Sequence, residues 1–285
     1  MTETEGQQKT GSLYIVATPI GNLADMTYRA VRTLADVSLI AAEDTRHSRR
    51  LLAHYQIATP LVSYHEHNAR QKVEAILEKL RTGLDIALIS DAGTPGIADP
   101  GYRLVQACHA AGLRVIAIPG PSALVAALSI AGVPTDRFTF EGFLPSRASA
   151  RRDLLRKNLT ADHTLVFYEA PHRLRVALDD MQEVFGAERK LVVARELTKL
   201  HEELFRGTVA EALLHFGTGK VRGELVLILP PGEAPHRVDM KVALQTMLAE
   251  SDLSRREIVR MIAREYGVPG SEVYRESLKY LDESA

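Results

Sequence analysis

Cysteine is nearly absent from this 285-residue chain, which carries a single one, Cys108. An internal disulfide and a cysteine-based metal cluster are therefore excluded, and a reducing compartment is the expected setting. No apolar run reaches membrane-spanning length, so no membrane partner is expected. The opening stretch from Met1 to Thr10 is polar and acidic, without the apolar core of a secretory signal, and a cytoplasmic location is the expectation. Charge of one sign is not in excess either, since 35 lysines and arginines meet 36 aspartates and glutamates. A broad basic face for nucleic acid is excluded at that balance, and any such contact must be a local patch. The usual nucleotide loops are missing as well. Gly217-Thr-Gly-Lys220 resembles a phosphate loop, but Leu214 and Val221 break the G-x-x-x-x-G-K-[ST] pattern, and G-x-G-x-x-G fails too. ATP and NAD are therefore not expected to bind through those motifs.

What is present is an ordinary globular composition, 46% hydrophobic and 25% charged, in a chain long enough for two moderate domains. From Leu13 to about Ile130 short apolar runs alternate with helical stretches. Leu13–Ala17, Val37–Ala42, Leu61–Ser63, Ile86–Ser90 and Leu113–Ile118 read as strands. Met26–Leu34, Ser48–Tyr55, Ala69–Leu80 and Tyr102–Ala111 read as helices, the third from apolar residues at 73, 76, 77 and 80. This alternation predicts a mostly parallel sheet covered by helices, with ligands beyond the carboxyl ends of its strands. Gly132-Val-Pro-Thr-Asp136 punctuates the chain. A second unit follows, with strands expected at 138–142, 164–168, 191–195 and 224–229 and helices at 151–159, 173–185 and 209–216. Pro230–Pro235 has linker composition, and three helices are expected beyond it, over 238–249, 254–266 and 271–281. The expected division is an α/β domain over 12–132, a second over 133–230 and a helical tail over 236–285.

Three tight turns directly follow predicted strands of the first unit: Thr18–Asp25, Asp91–Gly101 and Pro119–Ala123. Their glycines allow a ligand close to the backbone, and their prolines set the loop shape. Ser122 is placed to cap the helix that follows. A single such turn is as well explained as a simple connection, but three at one sheet edge point to a pocket. Polar clusters end other strands, at Ala42–His47, Tyr64–Asn68, Tyr168–Arg173 and Arg195–Lys199. His65 and His67 share a strand face, but with no third ligand evident a metal site is not expected. Cys108 sits among Leu104, Val105 and Ala111 and reads as core. Arginines cluster at Arg46/Arg49/Arg50, at Arg147/Arg151/Arg152/Arg156 and at Arg255/Arg256/Arg260/Arg264. Arg256, Arg260 and Arg264 repeat every four residues, which aligns them on one helix face.

Taken together, Ala17-Thr-Pro-Ile-Gly-Asn-Leu23, Ala41-Ala-Glu-Asp-Thr-Arg46, Ser63-Tyr-His-Glu-His-Asn68 and Ser90-Asp-Ala-Gly-Thr-Pro-Gly96 are highly specific. So are Pro119-Gly-Pro-Ser-Ala123, Phe140-Glu-Gly-Phe-Leu-Pro145, Phe167-Tyr-Glu-Ala-Pro-His-Arg173 and Ala194-Arg-Glu-Leu-Thr-Lys199. On these motifs the chain resembles the bacterial 16S rRNA ribose 2′-O-methyltransferases of the small-subunit methyltransferase I family, within the tetrapyrrole-methylase superfamily. The resemblance implies two α/β units with a cofactor cleft between them, usually in a homodimer, and S-adenosyl-L-methionine as cofactor. It implies a cytidine of the decoding region as target, in 16S rRNA of the small ribosomal subunit. Its cofactor positions fall on Pro19, Gly21, Asp91, Ala92, Gly93, Thr94, Ile97, Ser122, Ala123 and Tyr168. Candidate transfer residues are Glu169, Arg195, Glu196 and Lys199, and candidate RNA contacts are Arg46, Arg151, Arg152, Arg256, Arg260 and Arg264. Tetrapyrrole methylases show Gly-Gly-Asp-Pro at the second turn where this chain has Ala92-Gly-Thr-Pro95, which favours the RNA branch. A small-molecule methylase and a non-catalytic ribosome-assembly factor are the rival readings.

Overall fold

The computed structural model describes residues 10–66, 68–99, 101–217, 221–232, 237–251, 253–266 and 268–280, apart from the side chains of 237–239, 250, 264 and 265. His67, residues 218–220 of the loop resembling a phosphate loop, 233–236 of the linker and residue 281 lie outside them.

The first sheet is wholly parallel. Strands β1 (Ser12–Val16), β2 (Leu39–Ala42), β3 (Leu61–Ser63), β4 (Ile86–Ile89) and β5 (Arg114–Ile118) lie in the order β3-β2-β4-β1-β5. Helices α1 (Tyr28–Asp36), α2 (Thr45–His54), α3 (Ala69–Arg81) and α4 (Tyr102–Ala110) cover both faces. One core joins Leu13, Ile86 and Leu88 to Ile76, Leu80 and Leu104, with Cys108 as filler; the other joins Val16, Ile40 and Ile89 to Ala30, Leu34 and Leu52. All four residues of β4 are buried, as a central strand covered on both faces requires. Thr27 caps α1 through the Ala30 N–H, and Asp44 caps α2 through the Arg46 N–H.

Helix α5 (Ala123–Ala131) leads out of the third turn, and its buried face does not pack on the sheet it follows. Ala127, Leu128 and Ala131 lie against Val166, Val192, Val226 and Ile228 of the second sheet. That sheet is mixed. Its strands β6 (Phe138–Phe143), β7 (Thr164–Glu169), β8 (Lys190–Arg195), β9 (Glu203–Thr208) and β10 (Leu225–Leu229) run in the order β6-β7-β10-β8-β9. Only β6 and β7 are parallel. Helices α6 (Ala148–Lys157), α7 (Leu174–Phe185) and α8 (Val209–Phe216) cover its far face around Phe167, Leu178 and Leu227. Strand β9 is the element that the sequence pattern does not announce. Glu-Leu-Phe-Arg-Gly-Thr carries charge and a glycine, and it is tolerated because β9 is an edge strand with alternate residues in water.

Helices α9 (Arg237–Glu250), α10 (Arg255–Glu265) and α11 (Gly270–Leu278) share a separate core of Met240, Leu244, Ile258, Ile262 and Val273. A capping box between Ser254 and Glu257 starts α10. No helix among the described residues is long and apolar enough to cross a membrane.

Candidate active site

The three turns of the first unit are tied into one surface. Thr18 and Gly93 exchange backbone hydrogen bonds, Thr18 donating at 2.9 Å and accepting at 3.0 Å. The Thr18 hydroxyl also donates to the Ser90 carbonyl at 3.2 Å. The Thr94 hydroxyl donates to the Pro121 carbonyl at 3.2 Å, which joins the second turn to the third. Asp99 holds the second turn closed, accepting from the N–H groups of Gly96 and Gly101, each at 2.7 Å. Gly93 sits at φ +79°, and nothing approaches within 3.5 Å of where a Cβ would stand. Gly93 is buried with its N–H and carbonyl both taken by Thr18, in a conformation that glycine takes without steric cost, and the turn it shapes lines the cleft.

Strand ends of the second unit face this surface across a cleft of about 440 Å³. That lies within the roughly 300–1,000 Å³ of small-molecule and cofactor sites. Tyr168, Glu169, Ala194, Leu197, Glu224 and Phe143 form its second wall. Ser122 makes no capping bond to α5. The Leu124 N–H donates instead to the Tyr168 hydroxyl at 3.1 Å, so a residue of the second unit caps a helix that begins in the first. Burial keeps the Tyr168 phenol above its ordinary pKa, so it stays neutral and can still donate.

Charge is unevenly spread in the cleft. Glu43, Asp91 and Asp99 all line the first wall. Burial pushes the Glu43 carboxyl above the usual carboxylate range, and the charges of Asp91 and Asp99 push the same way. Burial also raises Asp99, partly opposed by the two N–H groups it accepts from. On the second wall Glu169 is buried. Its carboxylate accepts from the Ala170 N–H at 2.7 Å and pairs with Arg173 at 3.2 Å, yet burial still holds it above the usual range. At the rim, Lys199 bridges Glu196 at 2.7 Å and Glu224 at 3.1 Å. Burial works against its ammonium, but the bonds to both carboxylates outweigh that, and its pKa lies above the ordinary lysine value. Lys199 is therefore a fixed cation and not a base in waiting.

Of the ten positions expected to hold a cofactor, Asp91, Ala92, Gly93, Thr94, Ile97, Ser122, Ala123 and Tyr168 line the cleft, and Pro19 and Gly21 do not. Ile20 does, between them. Gly21 has another use, because a Cβ there would meet the Lys199 side chain at 2.4 Å. Glycine lets the lysine stem cross from the second unit onto the first turn. Among the four expected transfer residues Glu169 alone is on the cleft wall. Glu196 and Lys199 reach the wall through Glu224, while Arg195 is engaged with Glu203 at 2.7 Å.

The arginines divide sharply. Arg151 is 4% exposed, its guanidinium 2.6 Å from Asp180 and donating to the Pro145 and Ser146 carbonyls at 3.1 and 3.2 Å. It is a buried structural cation, and the expectation that it meets RNA is corrected. Arg152 is also drawn in, pairing with Asp180 at 3.1 Å and Glu183 at 3.4 Å. Arg46 is exposed and paired with Asp44, whose carboxyl it holds down to about 2. Arg256 and Arg260 are exposed on α10, and the Arg264 side chain lies outside the described residues. Glu43, Asp99, Phe143, Leu197 and Glu224 are cleft residues that the sequence reading did not select. Glu43, Phe143 and Leu197 stand inside the motifs quoted above and Asp99 inside the second turn, but nothing local marks them as facing a cleft.

Residues 12–213 match the family model for tetrapyrrole (corrin/porphyrin) methylases. The architecture agrees with solved members of that class. A diphthine synthase superposes with a TM-score of 0.63 at 11% identity, over 77% of this chain and 90% of that one. A cobalt precorrin-4 methyltransferase gives 0.58 at 16% identity, over 77% and 94%. Likeness at these identities establishes the fold alone. Sequence relatives narrow it further. The protein named ribosomal RNA small subunit methyltransferase I in Synechocystis sp. is 48% identical over 274 residues, 94% of this chain and 98% of that protein. The protein of the same name in Escherichia coli O157:H7 is 46% identical over 272 residues, 94% and 95% respectively. The chain belongs to the ribosomal RNA small subunit methyltransferase I family, within the tetrapyrrole methylases.

Proposed function

We propose that this protein transfers a methyl group from S-adenosylmethionine to the ribose 2′-oxygen of a cytidine in the decoding region of 16S rRNA, acting on the small ribosomal subunit. The observation that carries the reading is the two-walled cleft, with bonded turns on one side and strand-end polar groups on the other. Its residues fit the cofactor. The turn shaped by Gly93 puts no side chain in the way at that point of the wall, Ile20 and Ile97 offer apolar cover, and Glu43, Asp91 and Asp99 complement a cation. When bound, the cofactor supplies an electrophilic methyl on a positively charged sulfonium. The chain's share is alignment, since methyl transfer is an in-line displacement in which held geometry provides most of the help. Lys199, fixed as a cation at the rim by Glu196 and Glu224, acts on the acceptor through Glu224, the wall residue that it bonds. Glu169, its side chain wholly buried and both oxygens held by the Ala170 N–H and Arg173, fixes the strand end that carries Tyr168 on the wall, and the hydroxyl proton leaves to water. The exposed arginines of α10 give the tail a phosphate-binding face, and Arg46 does the same beside the cleft.

A labelled-methyl assay decides the reading. Small subunits lacking the modification, free 16S rRNA and porphyrinoids are offered in parallel to the purified protein. Label is expected at one cytidine of the small subunit, with that nucleotide resistant to alkaline cleavage because its 2′-oxygen is blocked. Transfer to a porphyrinoid and not to RNA overturns the proposal. With Arg256, Arg260 and Arg264 all changed to glutamate, subunit methylation should fall while cofactor affinity holds. Unchanged methylation removes the tail from substrate recognition.

A further inference from the structure

We propose that Phe143 is the stacking platform for the nucleobase of the nucleotide being methylated, turned into the cleft by a one-residue bulge in β6. The inference rests on the reading that the acceptor is an RNA ribose.

Strict alternation along β6 places Phe138, Phe140 and residue 142 on one face and Phe143 on the other. The pairing with β7 shows that this does not happen. Phe140 pairs with Val166 and Phe143 with Tyr168, so three steps on β6 match two on β7. The extra residue moves Phe143 to the face that carries Phe140 and Tyr168, because a one-residue slip exchanges the faces of a strand. Gly142 makes the bulge possible, standing at φ +71° with nothing within 4 Å of a Cβ position. An aromatic cluster results, with Phe140 4.7 Å and Phe143 5.5 Å from the Tyr168 ring, both edge-on.

Within that cluster Phe143 is the member left open. It lines the cleft yet is 53% exposed, more than any other phenylalanine of the chain. A half-exposed aromatic ring that lines an open cleft and rests on one aromatic neighbour is what an extruded base stacks upon. Phe143 rests on Tyr168, an expected cofactor position, so cofactor affinity is the readout that separates a base contact from a cofactor contact. The bonded turns belong to the first unit, whereas Phe143 comes from the edge strand of the second. Base–aromatic stacking is worth about 1–3 kcal/mol per base, or roughly 5- to 150-fold in affinity.

The test compares Phe143→Ala, Phe143→Leu, Phe143→Tyr and Phe143→Trp with the wild type. Transfer to small subunits lacking the modification is measured as kcat and KM, and S-adenosylmethionine affinity by calorimetry. Ala and Leu should lower kcat/KM for the subunit roughly 5- to 150-fold. Tyr and Trp should stay close to wild type, and cofactor affinity should not change in any variant. Leucine keeps apolar bulk without a π face, so wild-type kcat/KM in Phe143→Leu overturns the proposal. Weakened cofactor affinity in Phe143→Ala, parallel to its loss of transfer, also overturns it and assigns the ring to the cofactor. If the wild type itself transfers nothing to small subunits, the RNA reading fails first and this inference falls with it, whatever the variants do.

Discussion

The two α/β units reach the same cleft by different physical means. The first presents backbone, with three turns that follow parallel strands and bond to one another through Thr18, Gly93, Thr94 and Pro121. The second presents side chains at the ends of a mixed sheet, and ion pairs hold them: Glu169 to Arg173, and Lys199 between Glu196 and Glu224. A backbone surface is shaped by φ, ψ and hydrogen bonds and varies little with pH or salt. A side-chain surface depends on which charges are buried and paired. The first suits a constant cofactor, and the second a large charged substrate that must be told from others.

The largest effect that tests this contrast is expected in the second unit. Arg151 and Asp180 are 4% and 8% exposed, and Arg151→Ala leaves Asp180 buried with only Arg152 beside it. Removing one partner of such a pair costs about 3–5 kcal/mol. Denaturant unfolding should show that loss, with cofactor affinity of the folded fraction unchanged. A variant as stable as the wild type returns Arg151 to the candidates for RNA contact.

A smaller effect is expected in the first unit. Gly93→Val places a β-branched residue at φ +79°, where strain of about 1–3 kcal/mol works against the bonds to Thr18. Calorimetry should show S-adenosylmethionine binding weakened by roughly tenfold or more. Undiminished affinity means that the turns do not hold the cofactor.

The smallest effect sharpens the contrast, because the first wall, though shaped by backbone bonds, also carries the carboxyls of Glu43, Asp91 and Asp99. The pKa of Glu43 is raised above 4.5 in the fold, so the folded state holds its proton to higher pH than the unfolded state does. Stability from this group is therefore lost as pH rises from 4.5 through the raised value. Glu43→Gln should melt higher than the wild type above that window, and the difference should close as pH falls toward 4.5. A difference that does not vary with pH removes the titration as its cause.

Much of this was legible in the chain. The βα alternation from Leu13 to Ile118 is local periodicity, and it corresponds to a parallel sheet whose strand bounds differ from the structure by a residue or two. The three Gly/Pro turns were visible because φ > 0 and fixed φ write themselves as Gly and Pro. Local sequence offers Ser122 as the cap of α5, whereas the bond comes from Tyr168, 44 residues away from Leu124. The resemblance makes Gly21 a cofactor contact, whereas its constraint in the structure is the Lys199 stem lying over it.

The sequence by itself determined what depends on neighbours along the chain: the alternation of elements, the turn chemistry, and the motifs that place it in its family. Only the tertiary structure decided which face Phe143 occupies, since one inserted residue in β6 reverses the alternation on which any reading of a strand depends. It also separated arginines that look alike in sequence, burying Arg151 against Asp180 and leaving Arg256 and Arg260 in water. The reason is common to both. Burial and pairing are set by residues distant in the chain, and a side chain's charge or aromatic face acquires a role only from what stands across from it.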